Sequence, residues 1–210
     1  MDFELEIDGL DLLNTMGKNV KEDIKDFDDF LNLHNALTRS IFIGEINEGV
    51  GDCVDSYIRF WNYYDNVKNI PIEEREPIKI YIDSPGGYLL DALTIIDSIR
   101  LSKTPVVGIC IGTAYSGGFF ILLSCHQRIA YPHASFLFHE GSTSNGGTAS
   151  QFENYTAFYK KQLNQLKEVV LQYTNITEEE YEKIRKDDIW YDTAEALEKG
   201  IIDKITEEFI

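Results

Sequence analysis

Apolar positions along this chain follow two periods. Short apolar runs bounded by Gly, Pro or polar residues predict strands at 40–44, 78–82, 105–111, 128–131, 135–139 and 201–202. Apolar residues recurring at three and four predict helices. Phe27, Phe30, Leu31, His34 and Leu37 mark one over 27–38, and Val54, Tyr57, Ile58, Trp61 and Tyr64 mark another over 52–67. Leu89, Ala92, Leu93, Ile96 and Ile99 mark a third over 88–101, and the run 119–123 is apolar on every side, as a buried helix is. Phe152, Tyr155, Phe158, Tyr159, Leu163, Leu166, Val169, Val170 and Tyr173 mark a long helix over 149–174. Thr177 followed by three Glu opens one over 178–185, and Thr193 opens a last one that Gly200 stops. Residues 68–77 hold two prolines and a charge cluster and predict an exposed loop; 140–148 read as a flexible one. Residues 1–26 show no clear period and are expected to form an N-terminal arm. Strand and helix alternate from 78 onward, which predicts an α/β domain of repeated β-α-β units, spanning 27–210.

The stretch Gly112-Thr113-Ala114-Tyr115-Ser116-Gly117-Gly118 joins the 105–111 strand to the buried helix. A Ser in a Gly-rich turn at a helix N-terminus has small neighbours and free N–H groups nearby, which suits a nucleophile and a developing oxyanion. The competing reading makes Ser116 an ordinary N-cap.

The 210 residues are 43% apolar, enough for one sizeable core. A formal charge of -17 disfavours nucleic acid and anionic membrane as partners. The three cysteines, Cys53, Cys110 and Cys125, form no CxxC pair, which argues for reduced thiols, a cytoplasmic setting and no zinc site. The acidic N-terminus lacks the features of a secretory signal. No metal or cofactor is expected.

Ser116 on a strand–helix turn, His139 ending a strand and Asp188 before a short helix would make a nucleophile, a base and an orienting carboxylate. Taken singly, His139 could be a packing histidine and Asp188 a turn residue; Asp187 rivals Asp188.

These segments resemble the ClpP family of serine peptidases, within the ClpP/crotonase-like fold. The resemblance runs from about residue 40 to 205. Residues 80–87 (IYIDSPGG) look like the family's SPGG turn, 112–118 like its GxAxSxG nucleophile turn, and 132–139 like its histidine segment. Asp188 with 193–203 (TAEALEKGIID) looks like its C-terminal signature, and the twelve positions from Asp188 to Gly200 favour Asp188 over Asp187. By that resemblance Ser116, His139 and Asp188 are the catalytic triad, and the N–H groups of Gly87 and Gly117 form the oxyanion hole. The helix at 149–174 is the protruding handle that interlocks two rings. The protein is then a homo-oligomer of stacked, heptameric rings that cleaves unfolded polypeptides or short peptides inside a chamber, fed by a separate AAA+ unfoldase. Three departures stand out: Glu140-Gly141 replaces Gln-Pro, Gly117 replaces Met, and Lys79 replaces an apolar or aromatic residue of the ATPase groove. A capsid-maturation protease of the same type, a non-catalytic ring subunit and an acyl-CoA enzyme on the crotonase-like fold are the alternatives.

Overall fold

The computed structural model describes residues 27–144 and 146–210, so the arm expected over 1–26 lies outside the described residues. By its contacts the chain divides into two compact units, 1–41 and 42–210. In the first, helix α1 (Phe27–Leu37) is closed by Thr38, whose N–H and hydroxyl both donate to the carbonyl of His34. Strand β1 (Ser40–Ile43) straddles the boundary.

The second unit carries the rest. Its elements are α2 (Val50–Val67), a 3-10 turn (Ile72–Glu74), β2 (Ile78–Ser84), α3 (Leu89–Leu101), β3 (Val106–Tyr115), α4 (Gly117–Ser124), β4 (Gln127–Ala130) and β5 (Ser135–Phe138). After these come α5 (Ala149–Tyr173), α6 (Glu178–Ile184), β6 (Ile189–Tyr191), α7 (Thr193–Glu198) and β7 (Lys204–Ile205). Strands β2, β3, β4 and β7 run parallel in that order. Strand β5 is parallel to β3, and β6 is antiparallel to β5. The parallel sheet with its helical crossovers is the α/β architecture that the alternation of periods predicts.

The core follows from that alternation. Ile78, Ile80 and Ile82 of β2 are fully buried on one face. Helix α4 is buried along its whole length and packs on β2, β3 and β5, with α3 and α5 on its flanks. On the opposite face of the sheet Val107, Ile109 and Ile129 are buried beneath Tyr81, Ile111 and Tyr131. Helix α2 packs on α3 and carries the Trp61 and Tyr64 rings in edge contact.

Four differences from the pattern-based reading matter. Strand β3 continues through Gly112-Thr113-Ala114-Tyr115, so the turn before α4 shrinks to Ser116. The last strand is Lys204–Ile205, not 201–202, whose side chains are buried next to α7. Residues 189–191 form a strand too short for a period to mark. The 68–77 loop is anchored by a buried Arg75, which donates to Ile70 O, Asn66 Oδ1 and Thr104 Oγ1, while Thr104 donates to the buried Asp65.

The extension of β3 has a visible cause. The pairing of β2 with β3 slips between Ile82 and Ser84, leaving two extra residues in β3 opposite Asp83. The Asp83 carboxylate fills that bulge and accepts from both the N–H and the hydroxyl of Thr113 at 2.9 Å. One half of β3 therefore pairs with β4 and the other with β5.

His126, just after α4, accepts the Val106 N–H at its Nδ1 (2.9 Å), and burial holds its pKa below the usual imidazole value. The unfolded chain then binds a proton at a pH where the folded one refuses it. Stability should rise with pH from the lowered folded value to the unfolded value of about 6.5, and fall on the acid side. His126→Asn removes the proton site, so the stability difference between parent and variant in urea titrations should change between pH 5 and 7.5. A constant difference would refute this role for His126.

Candidate active site

The site begins with the backbone at Ser116. β3 hands the chain to α4 through this one residue, which sits at φ 51° and ψ -118°. A non-glycine residue with positive φ is strained, and such strain persists only where surrounding structure over-determines it. Here the Ser116 N–H donates to Leu137 O of β5 at 3.0 Å, and the Ser116 carbonyl accepts from Phe119 N at 3.1 Å. Ser116 holds the N-cap position of α4, yet its hydroxyl makes no capping hydrogen bond. The plain N-cap reading of this Ser is therefore not what the structure contains.

The SPGG turn lies against that elbow. The buried Ser84 hydroxyl accepts from the Gly86 N–H at 3.1 Å, and Gly86 turns at φ 97°. A Cβ on Gly86 would stand 2.6 Å from the Cβ of Ser116, so only Gly permits the close approach. Gly87 adopts φ 150° and bridges to Ile46, where the Gly86 carbonyl accepts from Ile46 N and the Tyr88 N–H donates to Ile46 O. A parallel bridge of this kind uses the neighbours' groups, so the N–H of Gly87 is turned away from Ile46 and is not consumed by the bridge. Gly117 opens α4, and the first N–H of a helix has no partner within it.

His139 follows directly on β5. The ladder pairs Leu137 with Trp190 and Phe138 with Ile189. One step further, His139 meets Asp188, with Nδ1 to Oδ1 at 3.8 Å. That register carries Asp188 to the imidazole, while Asp187 lies in the bend before it. The gap is longer than a hydrogen bond, and Asp188 is 67% exposed at its side chain.

Gly87, Ser116, Gly117 and His139 all line one cleft of about 740 Å³, with Asp188 behind the imidazole. The structure thus gathers all five residues singled out in the sequence, drawn from four separate loops and turns. Tyr88, Leu90 and Phe120 form apolar parts of the wall, and Tyr155, Phe158 and Tyr159 of α5 close another side. The resemblance makes this helix a contact between rings; the place of its rings in the cleft wall has no sequence signal, because period alone does not say what a face meets. Burial pushes the thiols of Cys110 and Cys125 up to about 12, so neither is a nucleophile at neutral pH. Among the described residues no three His, Cys, Asp or Glu side chains are grouped as metal ligands, and no helix is long and apolar enough to cross a membrane.

An α/β sheet with a Ser on a strained strand–helix elbow and a His–Asp contact at the same strand ends has the arrangement of a serine hydrolase. The family model described as Clp protease matches residues 70–209, and the chain belongs to that family of ClpP-type peptidases. It is 31% identical over 177 residues to ATP-dependent Clp protease proteolytic subunit 2 of Prochlorococcus marinus, covering 81% of this chain and 82% of that one. To proteolytic subunit 3 of a Synechococcus species it is 30% identical, over 81% of this chain and 83% of the relative.

Proposed function

We propose that the protein is a serine endopeptidase in which Ser116 is the nucleophile, His139 the general base, Asp188 the orienting carboxylate, and the N–H groups of Gly87 and Gly117 the oxyanion donors. The observation that carries this reading is the strained Ser116 elbow, sharing one cleft with His139 while His139 Nδ1 faces Asp188. With Nδ1 turned to Asp188, Nε2 is left to take the Ser116 hydroxyl proton as Oγ attacks the substrate carbonyl carbon. The new C–O bond forms as the carbonyl becomes an oxyanion, which the two N–H groups hold. The C–N bond then breaks, and His139 returns its proton to the leaving amine. Water repeats the sequence, releasing the acid and restoring Ser116. Asp188 keeps Nδ1 protonated and favours the imidazolium, and its 3.8 Å gap should close as charge forms.

The chain also fits a closed assembly of stacked rings. The second half of α5 is buried through Leu166, Val169 and Val170, while Phe152 and Phe158 in its first half are 53% and 56% exposed. Exposed aromatics on a protruding helix call for a covering surface. The relatives it matches are proteolytic subunits of an ATP-dependent protease, and this sequence holds no GxxxxGK[ST]. ATP would then be hydrolysed by a separate unfoldase, and the substrates would be unfolded polypeptides and short peptides.

One experiment addresses both parts. A fluorophosphonate should label Ser116 covalently, and labelling should slow in Asp188→Asn but not in Asp187→Asn. The labelled species should elute with the mass of a multimer. Absence of label on Ser116 would refute the nucleophile, and a fully active monomer would refute the chamber.

A further inference from the structure

Two charged residues beside the site are not accounted for by the chemistry above. Glu140 follows His139 directly, and Arg185 lies three residues before Asp188. Their side chains form an ion pair, Arg185 Nη1 to Glu140 Oε1, with both only a quarter to a third exposed. Arg185 also bonds Glu182 Oε2 at 2.6 Å, and Glu182 Oε1 accepts from Lys167 of α5 at 2.8 Å. The hydroxyl of Tyr159, also on α5, reaches the Glu140 carbonyl at 3.4 Å. Beneath them the Tyr181 ring of α6 lies 5.4 Å from the Phe138 ring, at the end of β5.

The placement matters because the β5–β6 ladder stops at Phe138 and Ile189. His139 and Asp188 are the first residues past its end, where backbone pairing no longer fixes them. Asp188 is mostly exposed and its oxygen stands 3.8 Å from the imidazole, so little packing of its own holds it. The Glu140–Arg185 pair crosses the same gap, from one residue past His139 to three residues before Asp188, and ties the two departing segments to each other and to α5.

We propose that Glu140 and Arg185 are positioning residues that brace the His139–Asp188 alignment; this rests on the reading of His139 as the general base. A single half-exposed ion pair contributes little to stability. Its effect here is geometric, since a displacement of about 1 Å in catalytic geometry can cost up to about 100-fold in rate. Glu140 lines the cleft and Arg185 does not, so Arg185 is the position where the brace is removed with the substrate-facing wall left in place.

The test is peptide hydrolysis by the full chain carrying Arg185→Gln, Glu140→Gln, both together, or Arg185→Lys. Arg185→Gln should lower kcat roughly tenfold with KM within about twofold. Arg185→Lys should recover most of the rate, and the double variant should be no slower than the slower single one. An Arg185→Gln enzyme with parental kcat would overturn the brace. A double variant slowed by the product of the two single effects would overturn it too. His139→Ala separates the two layers: if it stays active, the base assignment fails, whereas an inactive His139→Ala beside a parental Arg185→Gln defeats the brace alone.

Discussion

Peptide hydrolysis should fall by roughly 10⁴- to 10⁶-fold when Ser116 is replaced by Ala, because the members of a nucleophile–base–carboxylate set act as a unit. Stability should barely change. Ala keeps the Cβ of Ser, so the strain at φ 51° is the same in both. The hydroxyl makes no capping bond that the substitution could remove. Surface-type changes of this kind shift stability by less than about 0.5 kcal/mol. An ordinary N-cap Ser replaced by Ala would instead cost about 1 kcal/mol and leave activity alone. Assaying hydrolysis and urea denaturation on the same preparation therefore separates the two roles. Retained hydrolysis with lost stability would return Ser116 to a capping residue.

Gly87→Ala should be nearly as damaging, by a different route. Gly87 sits at φ 150°, and a Cβ there would stand 2.1 Å from the Ile46 carbonyl oxygen, far inside contact distance. A strained backbone of this kind costs about 1–3 kcal/mol by itself. The collision is with main chain, so the bridge between Ile46 and Gly87 must open. Opening it displaces the Gly87 main chain, which lines the same cleft as Ser116, and with it the proposed oxyanion donor. Turnover should drop by roughly 100-fold or more, the scale of losing one oxyanion donor. Gly44→Ala serves as the control, since a Cβ there meets nothing within 4 Å and its φ is not positive. Gly87→Ala with parental kcat and parental stability would contradict the placement of this N–H.

Much of this was legible from the order of residues. The strand expected over 78–82 is present and runs on to Ser84; it reads as a strand because Ile78, Ile80 and Ile82 alternate with Lys79 and Tyr81, and alternation is what a half-covered strand requires. Helix α4 reads as buried because it has no polar face. The start of α6 is visible in Thr177, whose hydroxyl does accept from the Glu180 N–H. Ser116, His139 and Asp188 could each be marked as candidates by residue type and by position at an element's end.

The end of β3 could not be read in this way. Gly112 suggests a break, but the Asp83 carboxylate, 30 residues away in sequence, holds Thr113 in the strand. The approach of Asp188 to His139 follows from the antiparallel register, a property of two strands and of neither alone. The ion pair of Glu140 with Arg185 joins residues 45 apart and leaves no periodic trace.

The sequence by itself determined the α/β class, the number and order of most elements, and the residue types that could do acyl chemistry, because local period and turn residues act over a few positions. The tertiary structure alone decided that Ser116, His139, Gly87 and Gly117 share one cleft and that Asp188 stands behind the imidazole. It did so through an extended β3 that pairs with β5 and a β5 that pairs with β6. Those pairings depend on hydrogen bonds between segments distant in the chain, and no local pattern encodes the register in which such segments meet.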